Sequence, residues 1–354
     1  MDMGSAGSHI AEFLKRDEIA GVVWKEKEHE VLSPYYLEVF DTVSGARICT
    51  HDFPETPNLE ICTVAVAPDF TYVAVLSHDL LSDYLMLTIF NLGSKQPLCR
   101  IYVGESDDPT VPTCAVAFAR HPRGRLACAA AGQLRLYTID TEGMSLSLTW
   151  EKADIWTEYL AFLSDAYLAY CAFTECLPGA ARIPDISAQL IAVKLDSAET
   201  FACINFPAHV GEMSAFTCMP QGDLVTAGFQ HKHRIGLPSP ALNVYEYVLV
   251  PGNMLSADQF ASAAHLYASL HLGGAVVVSL SRTPRYLLVG THYGHVHIAD
   301  GRSHRILHVG VIDEHLSRMT FHIPERDSNN TLVLRNGRET PIFYLEALGA
   351  LMWH

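Results

Sequence analysis

The feature that most constrains this chain is a repeat of about fifty residues. A run of β-branched and aromatic residues that ends in an acid or amide at a turn occurs as Leu37-Glu38-Val39-Phe40-Asp41. It recurs as Leu87-Thr88-Ile89-Phe90-Asn91, Leu136-Tyr137-Thr138-Ile139-Asp140 and Ile191-Ala192-Val193-Lys194-Leu195-Asp196. Later copies are Asn243-Val244-Tyr245-Glu246, Val296-His297-Ile298-Ala299-Asp300 and Ile342-Phe343-Tyr344-Leu345-Glu346. The terminal acids and amides stand 50, 49, 56, 50, 54 and 46 residues apart. Asp and Asn suit such places because the side chain accepts hydrogen bonds from its own turn. A fixed period of this size is the mark of an array, with each unit one supersecondary motif.

Upstream of most of these anchors lies a second recurring element. Val64-Ala65-Val66-Ala67-Pro68-Asp69 leads into Tyr72-Val73-Ala74-Val75-Leu76, and Cys114-Ala115-Val116-Ala117-Phe118 leads through His121-Pro122-Arg123-Gly124 into Leu126-Ala127-Cys128-Ala129. Ala215-Phe216-Thr217-Cys218-Met219-Pro220 with Gly222 precedes Leu224-Val225-Thr226-Ala227-Gly228. A full unit therefore reads as four short strands joined by tight turns. The pattern resembles WD repeats, most closely at Phe40-Asp41-Thr42-Val43-Ser44-Gly45 and His121-Pro122-Arg123-Gly124, over roughly residues 35 to 346. It lacks that family's Gly-His start and Trp-Asp end. The resemblance implies an all-β propeller of about seven four-stranded blades, in which only short edges are left unpaired.

Two domain segments are expected: a tail and short helix over 1–18, and a single WD40-like propeller over 19–354. His9 to Arg16 places Ile10, Phe13 and Leu14 at helical spacing, fit for a helix covering one end of the ring or docking an adaptor. Of the first unit only Ile19 to Lys25 and Tyr36 to Asp41 are convincing strands. Ring closure is open between Val22-Val23-Trp24 and Leu351-Met352-Trp353, and so is a count of six or seven blades.

Composition limits function more than it defines it. The chain carries 39 acidic against 24 basic residues, a formal charge of −15, which opposes attraction to phosphate backbones and anionic lipid. No nucleic-acid or membrane partner is expected, and Ala261 to Leu280 reads as two strands broken at Gly273-Gly274 rather than a span of ~20 apolar residues. The N-terminus shows no secretory signal. Nine cysteines without common spacing, mostly inside strand-like runs, fit a reducing compartment, so cytoplasm or nucleus is expected.

Catalytic signatures are missing: there is no Gly-x-Ser-x-Gly elbow, phosphate loop or dinucleotide fingerprint. His295 and His297 share one side of a strand, but no Cys or carboxylate at a matching offset completes a metal set, so neither metal nor cofactor is expected. Long connections at Glu175 to Ser187 and Gln230 to Pro240 both fall between second and third strands, hence on one face. Leu177, Arg182, Ile183, His231, His233 and Arg234 in these loops are the candidate partner-binding residues. The expectation is a non-catalytic interaction scaffold or adaptor that binds other proteins within a larger complex. The resemblance extends this to a substrate receptor of F-box or ubiquitin-ligase type. The alternative is a propeller hydrolase or lyase using the central channel.

Overall fold

In a computed structural model, the elements of the described residues are strands, and apart from one parallel pair the sheets are antiparallel and built in chain order. The structure describes the backbone from Ile10 to Val311 in segments, together with residues 333–334 and 343–344; side chains are described for parts of 62–306. The first sheet contains β1 (Ile10–Lys15), β2 (Glu18–Trp24), β3 (Tyr35–Asp41) and β4 (Arg47–Asp52). The second contains β5 (Leu59–Val66), β6 (Tyr72–Asp79), β7 (Tyr84–Asn91) and β8 (Pro97–Glu105). The third contains β9 (Ala115–Phe118), β10 (Arg125–Ala130), β11 (Gln133–Asp140) and β12 (Ser145–Ala153). The fourth contains β13 (Leu160–Phe162), β14 (Tyr167–Phe173), β15 (Ile186–Lys194) and β16 (Thr200–Pro207).

The fifth sheet is β17 (Glu212–Cys218), β18 (Leu224–Gln230), β19 (Leu242–Val248) and β21 (His265–Leu270). Its third and fourth strands are separated by an insertion whose short strand β20 (Met254–Leu255) leaves the blade and pairs in parallel with Cys203 and Ile204 of β16. The sixth is β22 (Val277–Arg282), β23 (Tyr286–Thr291), β24 (His295–Asp300) and β25 (Ile306–Val311), and a two-stranded sheet follows, β26 (Val333–Leu334) with β27 (Phe343–Tyr344).

The first strands of successive sheets touch in the series β26, β1, β5, β9, β13, β17, β22, so they surround a common axis. This is a β-propeller of four-stranded blades. Instead of seven equal blades, the described residues form five four-stranded sheets, one five-stranded sheet and one two-stranded pair. The anchor residues hold their expected places: Asp41, Asn91, Asp140 and Asp300 end third strands, Asp196 follows one, and Glu246 lies near the end of another. Glu346 lies outside the described residues. Asp300 shows the reason for its residue type, since its Oδ1 accepts from the backbone N–H of Arg302 and Ser303 and from the Ser303 hydroxyl. Those bonds hold its carboxyl below the usual range.

Two expectations at the N-terminus are corrected. His9 to Arg16 is not a helix: Ile10–Lys15 is the innermost strand of the first blade, with Ile10 opposite Val22 and Phe13 opposite Ile19. Val22-Val23-Trp24 does not complete the last unit either, because it pairs with Tyr35, Tyr36 and Leu37 inside the first. Residues 351–353 lie outside the described residues.

The core lies between blades. One apolar cluster joins the second and third sheets through Leu76, Leu87, Leu126 and Ile139, and others join the third to the fourth, the fourth to the fifth and the fifth to the sixth. Second strands are buried on both sides, as at Tyr72–His78 and Leu126–Ala130. Their small residues (Ala74, Ala127, Ala129, Ala227) suit this, because blades taper toward the axis and leave little room there. Polar links cross the same seams. Arg135 Nη1 donates to the Val103 carbonyl at 2.6 Å, and Trp150 Nε1 to that of Leu195 at 2.7 Å. Tyr159 Oη donates to the Ser214 carbonyl, and the Val277 N–H to Gln230 Oε1 at 3.0 Å.

Candidate functional site

Alternation of strand direction gives the ring two ends. One end carries the starts of the innermost strands and the connections between second and third strands; the other carries the anchor turns. The connections 174–185 and 231–241 join second to third strands as the sequence implied, β14 to β15 and β18 to β19, and the strand ends that they join lie at the first end. Leu177, Arg182, Ile183, His231, His233 and Arg234 lie outside the described residues.

Three innermost strands carry a carboxylate residue within their first three positions at this same end: Glu12 on β1, Glu60 on β5 and Glu212 on β17. Two of them have polar cross-strand neighbours, while Glu12 is opposite Ala20. Glu60 is in register with His78, and Glu212 with Gln230. His78 is wholly buried, and its Nε2 stands 3.5 Å from Asp83 Oδ1. Toward the fourth and fifth blades, the buried Thr157 hydroxyl donates to the Tyr159 carbonyl at 2.8 Å and accepts the Tyr159 N–H at 3.1 Å. That turn aims the Tyr159 phenol across the seam to Ser214, the residue bulged out of register between Met213 and Ala215. Comparable bulges fall between Ile61 and Thr63 on β5 and between Val277 and Ser279 on β22. A bulge leaves one residue outside the ladder and re-aims the strand, a common device beside functional sites.

Other chemistries are poorly served. His297 is buried within β24, and no group of three His, Cys, Asp or Glu able to hold a metal occurs among the described residues. Burial pushes the Cys128 thiol up to about 12 and that of Cys171 well above its ordinary value, so neither supplies a thiolate at neutral pH. Both are therefore expected to resist alkylation in the native protein and to react once it is unfolded. Tyr137, also pushed up to about 12 by burial, acts in the same direction. The folded protein keeps protons that the unfolded chain loses, so stability is full below about pH 9 and declines from there toward pH 12. Thermal melting across that range checks the sign, and a midpoint that rose with pH would contradict the buried placement of these groups.

No family model matches the chain, and no curated protein matches it in sequence. Among solved structures the chain is similar to one titled hydrazine synthase, from Kuenenia stuttgartiensis, with a TM-score of 0.67 and 12% identity over 98% of both chains. At that identity the likeness is one of fold. It corrects the expectation of a non-catalytic scaffold or ubiquitin-ligase receptor: that reading rests on analogy between propellers, and a propeller that this one matches over 98% of both chains is titled as an enzyme. The chain is a β-propeller similar along nearly its whole length to one found in an enzyme.

Proposed function

We propose that this propeller is an enzyme, a hydrolase or lyase whose reaction takes place at the axial end where the innermost strands begin. The observation that carries this reading is the recurrence of a carboxylate residue, Glu12, Glu60 and Glu212, within the opening residues of three innermost strands around the axis. Hydrolysis and elimination both need a group that gives a proton and one that takes it. Two carboxylates in different surroundings can divide those roles. Glu60 is in register with the buried His78 and Glu212 with Gln230, so the two have different cross-strand partners. The enzyme among the solved structures of like fold adds support, as does the position at this same end of the strand ends that the two long connections join.

The same proposal takes β26 and β27 as part of a seventh blade lying between the sixth sheet and β1, and the blades as divergent WD repeats. Support comes from the contact of β26 with β1 and from the Asp300 turn.

The experiment is a screen of purified protein against chromogenic esters, phosphoesters and glycosides and against elimination substrates. Glu60→Gln and Glu212→Gln are run alongside. Turnover of one class is expected, reduced about 10²- to 10⁴-fold in at least one variant with an unchanged melting temperature. Turnover indifferent to both substitutions would refute the assignment, as would no turnover of any class.

A further inference from the structure

We propose that the tip of the β6–β7 hairpin, together with the adjoining end of β8, is a docking site for a cationic amphipathic peptide segment of a partner protein. Leu80, Leu81, Tyr84 and Tyr102 are 47%, 76%, 44% and 52% exposed, which gathers four large apolar side chains on one corner of the second blade. The two tyrosine rings meet edge to face at 5.1 Å and make a continuous surface. Large apolar side chains grouped in this way on a soluble surface are characteristic of interaction sites, whereas single ones are not.

The tip is built, not loose. Asp79 Oδ1 accepts the Leu81 N–H at 3.1 Å, and the Asp83 carbonyl accepts the Ser106 N–H at 2.8 Å, tying the hairpin to the end of β8. Asp83 takes a left-handed backbone (φ 57°) and stands over the buried His78. A rigid turn that holds two leucines in water has no use for them in the blade's own core, which lies on the other residues of these strands.

Charge selects the occupant. Asp79, Asp83 and Glu105 surround the apolar residues, and Glu105 is in register with Tyr84. The neighbouring guanidinium of Arg135 is already engaged by the Val103 carbonyl, the Gln133 side chain and, at 3.5 Å, Glu151. An anionic membrane would be repelled by this rim. A second copy of the chain docking through the same surface would set carboxylates against carboxylates, because a two-fold interface opposes a patch to itself. Lysines or arginines flanking apolar residues meet both needs at once.

The test uses a fluorescein-labelled peptide with one leucine face and one lysine face, read by anisotropy, with a leucine/glutamate counterpart as control. The lysine peptide is expected to bind, and added salt to weaken it. A Leu81→Ser, Tyr102→Ser double variant is expected to lose about tenfold or more in affinity, as truncation of central apolar anchors does. Glu105→Lys is expected to weaken binding several-fold and flatten the salt dependence. All three positions are exposed, so the variants should melt with the parent. Equal binding by the double variant or by the glutamate peptide overturns the proposal. So does a concentration-dependent dimer that Leu81→Ser dissolves, which would make a second copy the occupant. None of these readouts depends on catalysis, so the docking site and the proposed reaction stand or fall separately.

Discussion

Phe229→Ala is expected to destabilise the protein by about 3–5 kcal/mol, the range for removing a large aromatic ring from a closed core. Phe229 lies on β18 with no exposed surface, and its ring meets Phe206 of β16 edge to face at 4.8 Å and Tyr245 of β19 at 5.9 Å. The first contact crosses from the fourth blade to the fifth; the second stays within the fifth. Each such pair adds about 0.5–1.5 kcal/mol beyond burial, so the alanine loses transfer energy, two ring contacts and the packing of the seam. Phe229→Leu, which keeps most of the volume, should lose much less. Domains of this kind are stable by only about 5–15 kcal/mol, so the alanine variant should melt many degrees lower. A change below about 1 kcal/mol would mean that the seam between these blades is not closed as described.

The anchors were legible because a turn acid is a local device: Asp300 satisfies its own turn within three residues, so its signature survives in the sequence. The small second-strand residues were legible for a similar reason, since the taper of the blade acts on every repeat. The first strand was not. Ile10, Phe13 and Leu14 fit a helical stripe, and over six residues that pattern does not separate helix from strand; the pairing of Ile10 with Val22 decides it. Nor was β20 legible, because two residues carry no periodicity and its partner Cys203 belongs to the preceding blade. The candidate site was hidden in another way. Glu12, Glu60 and Glu212 are lone carboxylates in sequence, and only the shared direction of the innermost strands brings them to one end of the axis. They precede the anchors of their own blades by unequal stretches, so aligning the units on Asp41, Asn91 and Glu246 does not bring them into one column.

The second large effect concerns the seam between the second and third blades, where a turn of one is wedged against the outer strand of the other. Ala130 and Gln133 pair across a two-residue connection, and both residues of that connection have positive φ, 51° at Ala131 and 67° at Gly132. This is the turn whose twist matches a hairpin, and it normally favours Gly or Asn at such places. Ala131 is there at some cost, and it projects toward Gly104 of β8. A Cβ added at Gly104 would lie 2.4 Å from the Ala131 Cβ, and Gly104 itself has φ +137°. Neither atom is the end of a flexible side chain, so backbone must move. Gly104→Ala is therefore expected to cost about 2–5 kcal/mol, overpacking and backbone strain together. Ala131→Gly alone should be neutral or slightly stabilising, since it relieves a left-handed alanine. The double variant should recover the clash but not the strain at residue 104, a coupling of about 1–3 kcal/mol in a double-mutant cycle. Additive effects would show that β8 and this turn do not touch. Gly132→Ala has no such rescue, because its Cβ would lie 2.7 Å from Cζ2 of the Trp156 ring, and it should fail whether or not Ala131 is changed.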